Sequence, residues 1–127
     1  MSAVTEEGLD RLFASRDLAD LAFTHAPVGL VVTENRVIRE CNNAFAAMFG
    51  YTRDDLRDST FAILYPSQEE FLNIRNRGDS DLREGRPYWD ERVMMRQNGD
   101  LFWCRVRGHS FTPDDPLARA VWSIADL

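Results

Sequence analysis

Tyr88 to Val106 reads YWDERVMMRQNGDLFWCRV. Two runs rich in aromatic and apolar residues flank Asn98-Gly99. An Asn-Gly pair between two such runs is the strongest short-range hairpin signal a sequence offers, and it predicts a two-residue type I′ turn. Alternation then sorts the second strand. Phe102, Cys104, Val106 and Gly108 fall on one face, and Trp103, Arg105, Arg107 and His109 on the other. The first set is the more apolar, so it is predicted to face the core.

Downstream, Thr112-Pro113-Asp114-Asp115-Pro116 reads as a loop and Ala120 to Leu127 as a last strand, with Trp122 and Ile124 at the inward parity. Upstream, Gly85 and Pro87 close a helix that opens on a capping box, Ser67 with Glu70 three residues on, and carries Phe71, Ile74 and Leu82. Gly78 weakens its middle. Phe61 to Tyr65 is a short apolar piece stopped by Pro66, and Thr52 to Leu56 is one helical turn with acids at its start. Before it, Asn42-Asn43 can cap a buried helix, Ala44 to Phe49, that ends at Gly50. Val28 to Thr33 and Val37 to Glu40 read as strands around a Glu34-Asn35-Arg36 turn. Thr5 to His25 reads as helix, ended by Pro27. Leu9, Leu12 and Phe13 share one face of it, and Leu18, Leu21 and Ala22 share another. That pattern fits one helix with two buried faces or two short helices broken near Ser15. The order of elements is α+β, an antiparallel sheet with helices on one side.

A chain of 127 residues is one domain by length. Its formal charge of −6 makes a direct nucleic-acid partner unexpected. All basic residues are arginine, which excludes any mechanism built on a Schiff-base lysine. Cys41 and Cys104 form no CxxC pair, so a reducing, cytoplasmic setting is expected, with both thiols behaving as small buried hydrophobes. No apolar run approaches a membrane span, so no membrane contact is expected from this segment.

Pro27-Val28-Gly29, Asn42-Asn43, Phe49-Gly50-Tyr51, Asn98-Gly99 and Phe102-Trp103 occur in this order and spacing. Together they make residues 26–127 resemble the PAS family of bacterial sensor domains. The resemblance implies a five-stranded antiparallel sheet with helices packed on one face and a flanking N-terminal helix. It divides the chain into a flanking segment over 1–24 and a PAS domain over 25–127. It also implies a cytoplasmic sensory module that binds or responds to a small molecule. Such a module regulates a covalently attached kinase, diguanylate cyclase or DNA-binding regulator. The alternative is a ligand-free protein–protein dimerisation module. A homodimer is expected, with Leu9, Leu12 and Phe13 at the interface, although the same face can instead pack back on its own sheet. Ala125-Asp126-Leu127 stands where PAS domains hand over to a signalling helix, so the chain is expected to be a module of a longer protein.

Catalysis finds no residues to carry it. His25 and His109 are the only histidines, and no nucleophile-and-base motif or metal-ligand spacing is present. Flavin photochemistry of the LOV type needs a cysteine, and Ser59 to Glu69 contains none. Haem ligation in this family usually uses a histidine in the long helix, and Phe71 to Glu84 has none. No cysteine precedes the hairpin to hold a coumaroyl group. What remains is a pocket between sheet and helices. Family register puts Arg92 and Met94 inward, beside Cys104, Val106, Trp122 and Ile124, with Phe71 and Ile74 facing them from the helix. An inward guanidinium needs a partner. A carboxylate ligand can supply it, as can Asp90 or a helix acid. Trp122 either fills the cavity or stacks on a flat ligand. The expected ligand is therefore a small aromatic or carboxylate molecule.

Overall fold

Asn42 organises the first half of the chain. Its backbone is extended, and its side-chain oxygen caps the following helix by accepting from the Phe45 N–H at 3.0 Å. The same oxygen accepts from Leu30 N–H at 2.9 Å, and the amide nitrogen donates to the Val28 carbonyl at 3.0 Å. One fully buried side chain thus ties strand, strand end and helix start together.

The computed structural model describes residues 15–74 and 77–127. Helix α1 spans Ser15–His25, followed by strands β1, Gly29–Glu34, and β2, Val37–Cys41. Helices α2, Asn43–Phe49, and α3, Arg53–Leu56, come next, then a 3-10 turn at Phe61–Leu64. Helices α4, Gln68–Asn73, and α5, Asp79–Arg83, lead into β3, Tyr88–Met95, β4, Leu101–Ser110, and β5, Ala120–Asp126. The sheet is antiparallel in the order β2-β1-β5-β4-β3, with the helices on one face. Leu9, Leu12 and Phe13 lie outside the described residues.

Side-chain oxygens start the short helices, at Ser67 as the sequence predicts and also at Thr52 and Thr60. Thr52 accepts from Asp55 N–H, Thr60 from Ala62 N–H and Ser67 from Glu70 N–H. Gly50 ends α2 at φ 80°, where only a residue without a Cβ sits freely. The core lies between the sheet and α2, α3 and the 3-10 turn. Val31, Ile38, Phe45, Phe49, Leu56, Leu64 and Ile124 are fully buried there. Each such side chain contributes about 1.5–3 kcal/mol of transfer free energy. The Phe45 and Phe49 rings pack 4.9 Å apart, and Phe102 of β4 meets Phe49 edge-on at 5.4 Å.

Two local expectations are corrected. The β3–β4 connection is not a two-residue type I′ turn. The last strand pair is Met95 with Leu101, and the intervening residues close through Gly99 N–H to Arg96 O and Arg96 N–H to Asp100 O, both 2.9 Å. Only Gly99 has positive φ, 92°, while Asn98 does not. This is the longer hairpin loop with a left-handed glycine. Its shape follows from docking: Gln97 N–H reaches the Phe49 carbonyl at 2.8 Å and Arg96 the Met48 carbonyl at 2.5 Å. The type I′ geometry appears instead at Asn35-Arg36, both at positive φ between Glu34 and Val37. Second, Gly78 does not merely weaken one long helix. At φ 74° it separates α4 from α5, with the Tyr88 ring packed where its Cβ would stand.

Candidate functional site

Alternation on β3 points Tyr88, Asp90, Arg92 and Met94 to the helix side, opposite Gly108, Val106, Cys104 and Phe102 of β4. Met94 is fully buried in the core, whereas the other three are polar and must find partners. They find one another. Arg92 donates from Nε and Nη2 to the two Asp90 carboxylate oxygens, each at 2.8 Å, and from Nη1 to the Tyr65 hydroxyl at 2.6 Å. Tyr88 donates its hydroxyl to Asp90 as well. Arg77 approaches the same carboxylate at 3.4 Å. The Arg92 and Asp90 side chains are 9% and 13% exposed, so the pair sits largely out of water.

Beside this cluster lies a chamber of about 30 Å³. The sheet supplies Thr33, Tyr88, Arg92, Val106 and Trp122 to its wall, and the helical side supplies Phe61, Tyr65, Ile74 and Arg77. Arg36 and Leu117 complete it. Trp122 lies over Gly108, where a Cβ would run into its ring, and donates from Nε1 to the Thr33 hydroxyl at 2.9 Å. The indole is therefore a wall held by a hydrogen bond. Tyr65, Ile74, Arg77 and Arg92 also face an outer cleft of about 330 Å³ bounded by Glu70, Glu91 and Trp103. Those four side chains separate chamber from cleft.

Of the residues predicted from sequence, Arg92, Val106, Trp122 and Ile74 line the chamber. Met94, Cys104 and Ile124 face inward but are sealed into the core and do not line it. Phe71 packs edge-on to Tyr65 at 5.4 Å, carries the Arg36 guanidinium 3.5 Å above its ring, and lines a different, polar recess. Arg92 takes the intramolecular partner foreseen as one alternative, Asp90. Sequence reasoning missed Tyr65, Tyr88 and Thr33. Tyr88 was within reach, being at the same parity as Asp90 and Arg92. Tyr65 was not, because nothing local aims a tyrosine before Pro66 at a strand 27 positions on.

The electrostatics keep Arg92 charged and the thiols inert. Burial would pull Arg92 down, but Tyr65 and Asp90 beside it outweigh that and hold it protonated above its ordinary value. Burial, reinforced by the bond to Asp90, pushes the Tyr88 phenol up to about 12. Burial likewise raises Cys41 to about 11 and Cys104 to about 12, so neither offers a thiolate near neutrality. His109 is exposed on the outer sheet face against the Phe111 ring, and His25 is exposed at the end of α1. Among the described residues no group of three His, Cys, Asp or Glu side chains is placed to hold a metal, and no helix is long and apolar enough to cross a membrane.

Known proteins share this fold. Residues 27–126 match the family model described as the PAS domain. The PAS domain of a transcriptional regulator in the LuxR family from Burkholderia thailandensis, solved in complex with ethanol, is 42% identical with a TM-score of 0.81, over 85% of this chain and 96% of that one. Sensor protein TdiS of Thauera aromatica is 28% identical over 108 residues, which is 85% of this chain and 20% of that protein. The chain thus spans about a fifth of that curated relative. A PAS domain from Colwellia psychrerythraea, 16% identical, shares the fold at a TM-score of 0.77 over 90% of this chain and 98% of that one.

Proposed function

The chain belongs to the PAS domain family, and on that premise we propose that it is the cytoplasmic sensory module of a larger bacterial regulator. It binds a small molecule in the chamber under its sheet and biases the arrangement of an attached kinase, diguanylate cyclase or DNA-binding output domain. It works as a homodimer and performs no chemistry of its own. The observation that carries this reading is the chamber itself, walled by Arg92, which Asp90 holds from behind, and by Tyr65 and Trp122. PAS domains are generally sensory rather than enzymatic, and the TdiS and LuxR-family relatives are a sensor and a regulator.

Size sets the ligand's scale. One water needs about 10–15 Å³ of cavity, so about 30 Å³ suits a few heavy atoms unless the Arg77 side of the wall opens. Ethanol in the Burkholderia domain is a molecule of that scale. Flavin and haem do not suit it, and purified protein is expected to be colourless. Native mass spectrometry and thermal-shift assays of fresh protein test the reading. A retained small-molecule adduct, or a rise in melting temperature with one of a panel of small carboxylates, alcohols and aromatics, is expected. A bare mass together with no response across the panel would overturn ligand sensing.

A second reading, a ligand-free dimerisation module, is favoured by the outer sheet face. Trp89 and Trp103 stand 61% and 57% exposed there, beside the exposed Leu101. Light scattering on the full chain and on a chain lacking residues 1–17 separates the contributions. A shift toward monomer on truncation places Leu9, Leu12 and Phe13 in the interface, and an unchanged mass assigns the contact to the sheet.

A further inference from the structure

Hydrogen-bond accounting in the chamber is lopsided. Of the five N–H donors of a guanidinium, Arg92 uses three, two on Asp90 and one on Tyr65. The other two have no partner among the described residues. Tyr65 accepts from Arg92, and among those residues its own O–H has no acceptor. The acceptors of Asp90 and Thr33, by contrast, already take hydrogen bonds. Asp90 Oδ1 takes Arg92 Nε, and Asp90 Oδ2 takes Arg92 Nη2, Arg77 and Tyr88. Thr33 Oγ1 takes the Trp122 indole.

Charge is lopsided in the same direction. Arg92 and Arg77 share the single carboxylate of Asp90. No acidic side chain lines the chamber among the described residues. The rest of the wall is largely apolar, with Phe61, Val106 and Trp122 beside Thr33 and Arg36.

We propose that the chamber selects a short-chain monocarboxylate, its oxygens accepting from the spare Arg92 N–H groups and the Tyr65 O–H, its alkyl tail against Phe61, Val106 and Trp122. This rests on the sensory reading above and names its ligand class. A carboxylate brings acceptors alone, which suits a wall of donors. Its negative charge joins that of Asp90 against the Arg36, Arg77 and Arg92 guanidiniums of the wall. An alcohol of the same length brings no charge to set against the guanidiniums and has a single oxygen to accept from the spare donors. Asp90 keeps its place in this arrangement, because the ligand uses the N–H groups that Asp90 leaves.

The test compares sodium propionate, propionamide and 1-propanol by amide NMR titration of the full chain, at constant ionic strength set with sodium chloride. Saturable shifts at Tyr65, Arg92 and Val106 with propionate are expected, at an affinity roughly tenfold or more above both neutral analogues, the scale of one charge-assisted hydrogen bond. Tyr65→Phe removes one donor and keeps the ring. It is expected to weaken propionate several-fold, leave propanol unchanged and preserve the dispersion of the spectrum. Equal binding of all three at the chamber would overturn the carboxylate assignment while leaving a small-molecule sensor standing. Propionate shifts confined to exposed arginines, with propanol entering the chamber, would overturn it in the same way. Silence of the chamber toward all three would overturn it too, and with a bare native mass would remove the sensory reading as well.

Discussion

Gly99 and Gly108 show how much one missing side chain decides. Gly99 holds φ 92° in the β3–β4 loop, a conformation that a β-branched residue adopts only under strain. Gly99→Val is therefore expected to destabilise the protein by about 1–3 kcal/mol in thermal or urea unfolding. Asn98→Val is expected to lose less than about 1 kcal/mol, because Asn98 is not left-handed and forfeits only exposed bonds, from Asp100 N–H and to the Asp100 carboxylate. Equal losses at both positions would restore the type I′ turn that the Asn-Gly pair suggested. Gly108 is different, since its backbone is ordinary and its space is not. A methyl group there meets the Trp122 ring. Gly108→Ala is expected to destabilise by about 1–3 kcal/mol, as overpacking does, and to push the indole off Thr33. Strand alternation foresaw that Gly108 and Trp122 face the core, but not that the indole needs the glycine. Periodicity reports the face of a residue, not the neighbour across the sheet.

At the scale of elements, polar side chains join pieces that are individually too short to persist. Helix α2 has seven residues, well under the ~12–15 an isolated helix needs, and depends on Asn42. Asn42→Ala is expected to destabilise by about 2–4 kcal/mol, combining a lost cap with the buried Leu30 N–H and Val28 carbonyl left unpaired. A loss below about 1 kcal/mol would mean that water replaces the amide. Glu40 of β2 plays a weaker version of this part for α3. Burial would raise its carboxyl, but hydrogen bonds from Arg53 and Arg57 outweigh that and hold it below its ordinary value of 4.5. A group whose folded value is depressed contributes stability above the unfolded value and loses it as pH falls through the folded one. Glu40→Gln is thus expected to melt below the parent at neutral pH by under about 1 kcal/mol. The two melting curves should converge in acid below the folded value. A gap that persists there would show that the glutamate acts through packing. The caps at Asn42 and Ser67 were legible in sequence because their chemistry is local, each acting within three residues. The α4–α5 break was not, since it needs Tyr88, ten positions past Gly78.

Over the whole molecule, the inner face of the last strands follows from alternation and was readable, whereas the order β2-β1-β5-β4-β3 was not, since it pairs β1 with the last strand of the chain. The chamber was only half readable. Arg92, Val106, Trp122 and Ile74 carry a parity or a helical spacing, whereas Tyr65 and Thr33 reach the site through contacts distant in sequence. The buried Asp90–Arg92 pair has a further effect that concerns neither ligand nor output. Strand β3 is the last in the sheet, so one side of its backbone is open. Sliding β3 by a single residue would turn Asp90 and Arg92 out and drive Glu91 inward without a mate. The pair therefore acts as a register key. It also discourages a foreign strand from zipping onto the open edge, since inward charges blunt such templates. Replacing both by Asp90→Leu and Arg92→Met is expected to leave stability within about 2 kcal/mol of the parent, yet to bring earlier light scattering on heating. A double variant that stays as clear as the parent would show that the edge is guarded elsewhere. If the scattering does come early, the same ion pair that fixes Arg92 in the chamber wall is also what keeps crowded copies of the domain from joining sheet to sheet.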